Sequence, residues 1–108
     1  GENAADYAIR GSDRTAVIVE SELVGGECSY WACMPSKALL RPIEVLESAR
    51  HLPGLIGRTS ARGMDLRGLL GRRDSFTSHL DDSGQVRWAN DAGIDVVRGV
   101  GRLRGRAT

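Results

Sequence analysis

Residues 15–20 read TAVIVE, a run of apolar and β-branched side chains that stops at an acid. Hydrophobicity that is continuous instead of alternating predicts a parallel strand buried on both faces. Ahead of it, residues 2–10 (ENAADYAIR) predict a helix, with Ala4, Ala5, Ala8 and Ile9 as a small-residue stripe at helical spacing. Such a stripe packs closely on a sheet. Gly11 predicts a left-handed helix stop and Ser12, Asp13 and Arg14 a turn. Helix, tight turn and buried strand make the second half of a βαβ unit. The unit's first strand is absent, and Gly1 stands where its glycine turn would finish.

The rest of the chain continues the same alternation. Leu23 to Glu27 predict a loop, and a helix is expected from about Ala32 through KALLRPIEVLESARH. Pro42 inside that helix predicts a kink, because it lacks a backbone donor and crowds the preceding turn. LPGLIG, residues 52–57, predicts the helix end and a surface loop. Met64 to Leu80 predict a further helix on Leu66, Leu69, Leu70, Phe76 and Leu80, weakened by Gly68 and Gly71 at about 1 kcal/mol each relative to alanine. Asp81, Asp82 and Ser83 predict the cap of a helix holding Val86 and Trp88 and stopped at Gly93. Ile94 to Val97 predict a strand, continuing brokenly to Leu103. The order α-β-loop-α-α-α-β predicts an α/β fold, a partial Rossmann-like domain with a parallel sheet missing its first strand.

Bulk composition narrows the partners. The 108 residues suit one small domain or a piece of a larger one, and a net charge of +1 argues against a general nucleic-acid or membrane binder. Residues 1–50 hold five basic and eight acidic groups, whereas residues 51–108 hold ten basic and six acidic. Arg98, Arg102, Arg104 and Arg106 follow the last acid, Asp95, and read as a solvated end without the interleaved aromatics that an RNA site wants. Fourteen of the fifteen basic residues are arginine, so the single lysine, Lys37, stands out as a compact charge that arginine does not imitate. No stretch approaches the roughly 20 apolar residues of a membrane span. A soluble cytoplasmic protein is expected, and both ends look cut.

Lys37 lies in GGECSYWACMPSK, residues 25–37, with both cysteines, Cys28 and Cys33. Five residues of straight helix rise about 7.5 Å, beyond the roughly 7 Å between Cα atoms that a disulfide tolerates. The two cysteines can therefore bridge only if the segment between them is non-helical or bent at a helix start. A cysteine at a helix N-terminus meets unpaired amides and the positive end of the dipole, which favour a thiolate. Other readings stay open on these residues alone. The cysteines could be unrelated and buried. Metal ligation would need more ligands than His51 and His79 offer nearby, and a thioredoxin-like motif needs C-x-x-C. Without a cofactor the pair could be a dithiol switch, or the chain a non-catalytic piece.

Gly26 to Lys37, G-E-C-x4-C-M-P-S-K, resembles the signature of the class I pyridine nucleotide-disulfide oxidoreductases, which include dihydrolipoamide dehydrogenase, mercuric reductase and glutathione reductase. The upstream strand ending at Glu20 agrees with that family, GENAADYA resembles the end of its glycine loop and following helix, and GIDVVRGVGRL resembles its next strand. The resemblance spans nearly the whole chain but only about the first quarter of a family member.

It implies a flavoprotein using FAD and, in the intact enzyme, NAD(P)H. It further implies a homodimer acting on a disulfide or other oxidised substrate, small or protein-bound, with no nucleic acid and no membrane. Cys28 resembles the interchange thiol, and Cys33 the thiol that faces the flavin and exchanges electrons with it. Lys37 resembles the lysine beside the flavin's reactive nitrogen, and Glu20 the acid that binds the adenosine ribose. Gly1 would be the last glycine of the G-x-G-x-x-G turn, and Gly25 and Gly26 would let backbone approach the cofactor. The expected organisation is a βαβ half and loop over 1–27, a redox-cysteine helix over 28–51, a helical segment over 52–93 and a strand over 94–103. Glu27 and Tyr30-Trp31-Ala32 depart from the family's usual residues and imply an altered pocket around the interchange thiol. The family's acid–base pair lies outside this chain, so the 108 residues alone are expected to be inactive.

Overall fold

The computed structural model describes residues 1–55 and 64–105. Part of the expected loop after His51, and Arg106, lie outside them. The described residues form two units, one of residues 1–26 and 81–105, the other of residues 27–55 and 64–80.

In the first unit, helix α1 (Glu2–Ile9) leads through Gly11, at φ +68°, into strand β1 (Ala16–Glu20). Strand β2 (Ile94–Arg98) lies parallel to β1, with Ala16 opposite Ile94 and Glu20 opposite Arg98. A parallel pair needs a crossover, and helix α5 (Ser83–Asp91) immediately precedes β2, turning into it at Gly93, φ +78°. These elements make an α/β unit around a two-stranded parallel sheet.

Val24, Ala89 and Ile94 are its buried apolar residues. The expectation that β1 is buried on both faces is not met. Val17 and Val19 are 55% and 46% exposed, because a two-stranded sheet has no second layer on that side among the described residues. For the same reason α1 buries none of its residues. Ala5 and Ile9 are half-covered, while Ala4 and Ala8 face outward.

In the second unit, helix α3 (Cys33–His51) is packed along helix α4 (Leu66–Phe76). Pro35 and Ala38 are buried on α3. Helix α3 runs through Pro42 for 19 residues. Pro42 cannot donate to the carbonyl four residues back, that of Ala38. Arg72 on α4 donates its Nε to that oxygen at 3.2 Å instead, so an interhelical bond replaces the missing intrahelical one.

Asp65 caps α4 by accepting from the backbone N–H of Arg67 at 3.1 Å. A Cβ at Gly68 would stand 2.6 Å from the Asp65 carboxylate, so this interior glycine makes room for the cap. After α4 the chain makes a left-handed turn, Ser78–Leu80, with φ of 50°, 53° and 62° at Ser78, His79 and Leu80. Three consecutive non-glycine residues in that region cost roughly 1–2 kcal/mol each. The turn ends the helix that the apolar pattern had extended to Leu80. Among the described residues no helix is long and apolar enough to cross a membrane.

Candidate functional site

The stretch expected to be a loop up to Glu27 is partly helical. A short helix, α2 (Gly26–Tyr30), carries Cys28, and α3 begins at Cys33. Between them the chain breaks at Trp31 and Ala32. The Glu27 carbonyl accepts from both the Trp31 N–H at 2.9 Å and the Ala32 N–H at 2.7 Å, a widened turn that stops α2. Ala32, at φ −123° and ψ −85°, then redirects the chain into α3. This is the bend that a bridge between the cysteines requires.

Both cysteines are free and exposed, and their side chains are near enough to act on each other. The neighbouring Cys33 thiol pushes the Cys28 pKa above the ordinary thiol value. Slight burial and the charge of an ionised Cys33 push the same way, while the Lys37 ammonium and the backbone N–H of Cys33 pull against them. The amide at the start of α3 thus favours the thiolate of Cys28. Lys37 lies four residues after Cys33 on α3, on the same helix face. Of the neighbouring aromatics, Tyr30 is buried and Trp31 is 49% exposed. Both line a cleft of 630 Å³ with Pro35, Ser36 and Leu39. His51 and His79 are exposed, as expected.

The first unit holds the remaining predicted residues. Glu20 ends β1, half-buried, and its Oε1 accepts from the Glu22 N–H at 2.8 Å, which fixes the carboxylate at the C-terminal end of a parallel strand. Gly25 and Gly26 take φ of 118° and 57°, in the left-handed half of the map where glycine is favoured. Nothing lies within 4 Å of a Cβ built on Gly26, or of one built on Gly1. Gly1 is the N-cap of α1. Next to it, the Glu2 carboxyl is held below its usual range by its own backbone N–H, against some burial, with the Gly25 N–H also favouring the charge.

Two residues not singled out from the sequence complete this region. Asp82, expected as a helix cap, makes no side-chain cap bond. It is 9% exposed, and its Oδ2 accepts from the Val24 N–H at 2.7 Å and from Arg98 Nη2 at 2.6 Å. Burial raises the Asp82 pKa, but the Val24 N–H and the Arg98 guanidinium outweigh it and leave the carboxyl below its usual range. Arg98, read as part of a solvated arginine end, also donates Nη1 to the Glu22 carbonyl at 2.9 Å. Only the acidic cluster Asp81-Asp82 hinted at Asp82, and its partners lie too far along the chain to be paired by inspection.

The described residues thus hold a parallel α/β unit and a pair of free cysteines at a helix break. Comparison with known proteins is specific. The chain is 38% identical over 101 residues to dihydrolipoyl dehydrogenase of Rhizobium etli, covering 89% of this chain and 20% of that protein. It is 35% identical over 92 residues to dihydrolipoyl dehydrogenase of Bacillus subtilis, covering 85% of this chain and 19% of the relative. It is 30% identical over 82 residues to mercuric reductase of Lysinibacillus sphaericus, covering 76% of this chain and 15% of the relative. No family model matches the chain. The chain belongs to the class I pyridine nucleotide-disulfide oxidoreductases. It spans about a fifth or less of the length of these curated relatives.

Proposed function

We propose that this chain is the dithiol-bearing part of the FAD-binding domain of a flavoprotein disulfide oxidoreductase. The observation that carries the reading is the pair itself. Cys28 and Cys33 flank a helix break with both thiols free, and the Cys33 thiol, the Cys33 amide and the Lys37 charge all act on the Cys28 sulfur. The residues present suit FAD. An anchored carboxylate at the end of a parallel strand, Glu20, is an acceptor for ribose hydroxyls, and Gly26 leaves open space beside the backbone. When bound, the flavin would supply the route for an electron pair between NAD(P)H and the cysteines.

The chain's own residues do the thiol chemistry. Proton loss from Cys28 frees its sulfur to attack one sulfur of an oxidised substrate, breaking the substrate's S–S bond and releasing one thiol. Cys33 then attacks the Cys28 sulfur, releasing the second thiol and forming the Cys28–Cys33 disulfide. Two protons and two electrons pass from the pair to the substrate, and the reverse steps would oxidise a dithiol. Lys37 favours the thiolate of Cys28 and stands one helical turn from Cys33. The resemblance extends the reading to a cytoplasmic homodimer acting on a small or protein-bound disulfide or another oxidised substrate.

Anaerobic reduction of the full-length protein with NADH or NADPH tests this. Flavin absorbance is expected, with two more titratable thiols after reduction than before, both lost in Cys28→Ser and Cys33→Ser. Each variant is expected to lose substrate turnover while keeping its flavin. A colourless protein whose dithiol still cycles would leave a cofactor-free switch, and unreactive thiols would leave no redox role.

A further inference from the structure

We propose that Asp82 and Arg98 are positioning residues that latch the 20–26 segment in the shape needed to receive the adenosine ribose of the cofactor. The inference rests on the flavoprotein reading above. Residues 21–25 form neither helix nor strand, yet they join the ribose acid, Glu20, to the glycine pair. Their shape comes from a chain of polar bonds. Arg98 reaches the Glu22 carbonyl at 2.9 Å and Asp82 at 2.6 Å, while Asp82 holds the Val24 N–H at 2.7 Å. Glu22 in turn donates its N–H to the Glu20 carboxylate at 2.8 Å, and Gly99 donates its N–H to the Glu20 carbonyl at 3.0 Å.

Stability alone is a weak reason for this arrangement. The Arg98 side chain is 47% exposed, so its ion pair is screened, and sinking the Asp82 carboxylate out of water has a cost of its own. What the bonds secure is geometry. Both residues come from distant sequence, 58 positions from Val24 to Asp82 and 76 from Glu22 to Arg98. They converge on the one irregular segment between two predicted cofactor contacts. Displacing Glu22 would release the N–H that orients the Glu20 carboxylate.

Two conservative variants of the full-length protein separate positioning from simple support. Arg98→Lys keeps the charge toward Asp82 but removes the fork that also reaches Glu22. Asp82→Asn keeps an acceptor for Val24 but removes the charge toward Arg98. Thermal melts of both check folding, and Arg98→Lys serves where Asp82→Asn does not fold. The flavin-free protein is titrated with FAD, with ADP as the adenosine half, and with FMN as the flavin half. FAD and ADP are expected to weaken about tenfold, the loss of one charge-assisted hydrogen bond, with FMN unchanged. Hydrogen exchange at the Glu22 and Val24 amides is expected to be slow in the wild type and fast in both variants. Unchanged ADP affinity, equal weakening of ADP and FMN, or fast exchange at Val24 in the wild type would overturn the latch alone. A wild type that binds none of the three probes would overturn the flavoprotein reading and the latch with it.

Discussion

Cys28 sits among influences that do not agree. The Cys33 side chain and slight burial hold the proton on, and the Lys37 ammonium and the Cys33 amide draw it off, with the first group prevailing. Lys37→Met removes one of the two groups that favour the thiolate. The Cys28 pKa is then expected to rise further, and alkylation of Cys28 by iodoacetamide at neutral pH to slow, read peptide by peptide by mass spectrometry. An unchanged profile would mean that the Lys37 charge does not act on this sulfur. The two cysteines and the lysine were legible because their spacing is local and their types are rare in this chain. Asp82 and Arg98 were not, since nothing near either names a partner 58 or 76 residues away.

At the scale of elements, the helices α3 and α4 show how a neighbour makes good a local deficit. Pro42 lacks a backbone donor, and Arg72 supplies one to the Ala38 carbonyl where the helix continues. Arg72 also covers the Phe76 ring at 4.4 Å, so its removal has two costs. Arg72→Leu is expected to destabilise by about 2 kcal/mol, from an unsatisfied part-buried carbonyl and a lost ring contact. In a Pro42→Ala background the new backbone N–H serves Ala38, and the cost is expected to fall by about 1 kcal/mol. Urea denaturation of the four proteins measures the coupling, and simple additivity would sink the account. The helices and both strands were legible from apolar period and turn residues. The short helix α2 was not, because Gly25 and Gly26 read as loop and a single turn leaves no periodicity to find.

On the scale of the whole molecule, the described residues bury little. Val24, Tyr30, Pro35, Ala38, Ala89 and Ile94 are the buried apolar residues, while Val17, Val19, Val97, Val100 and Leu103 are all more than 45% exposed. A chain with so much apolar surface left in water gains little from folding alone. The 108 residues expressed in isolation are expected to melt over a broad range and to bind the dye ANS. A sharp calorimetric transition without dye binding would contradict this.

The pairing of Glu20 with Arg98 across the sheet has one more result. Strand side chains alternate between faces, so a shift of β2 by a single position would turn the guanidinium away from Asp82 and Glu22. Only the native alignment closes that contact, and an edge of the sheet that weak apolar packing would let slide is proofread by a charge.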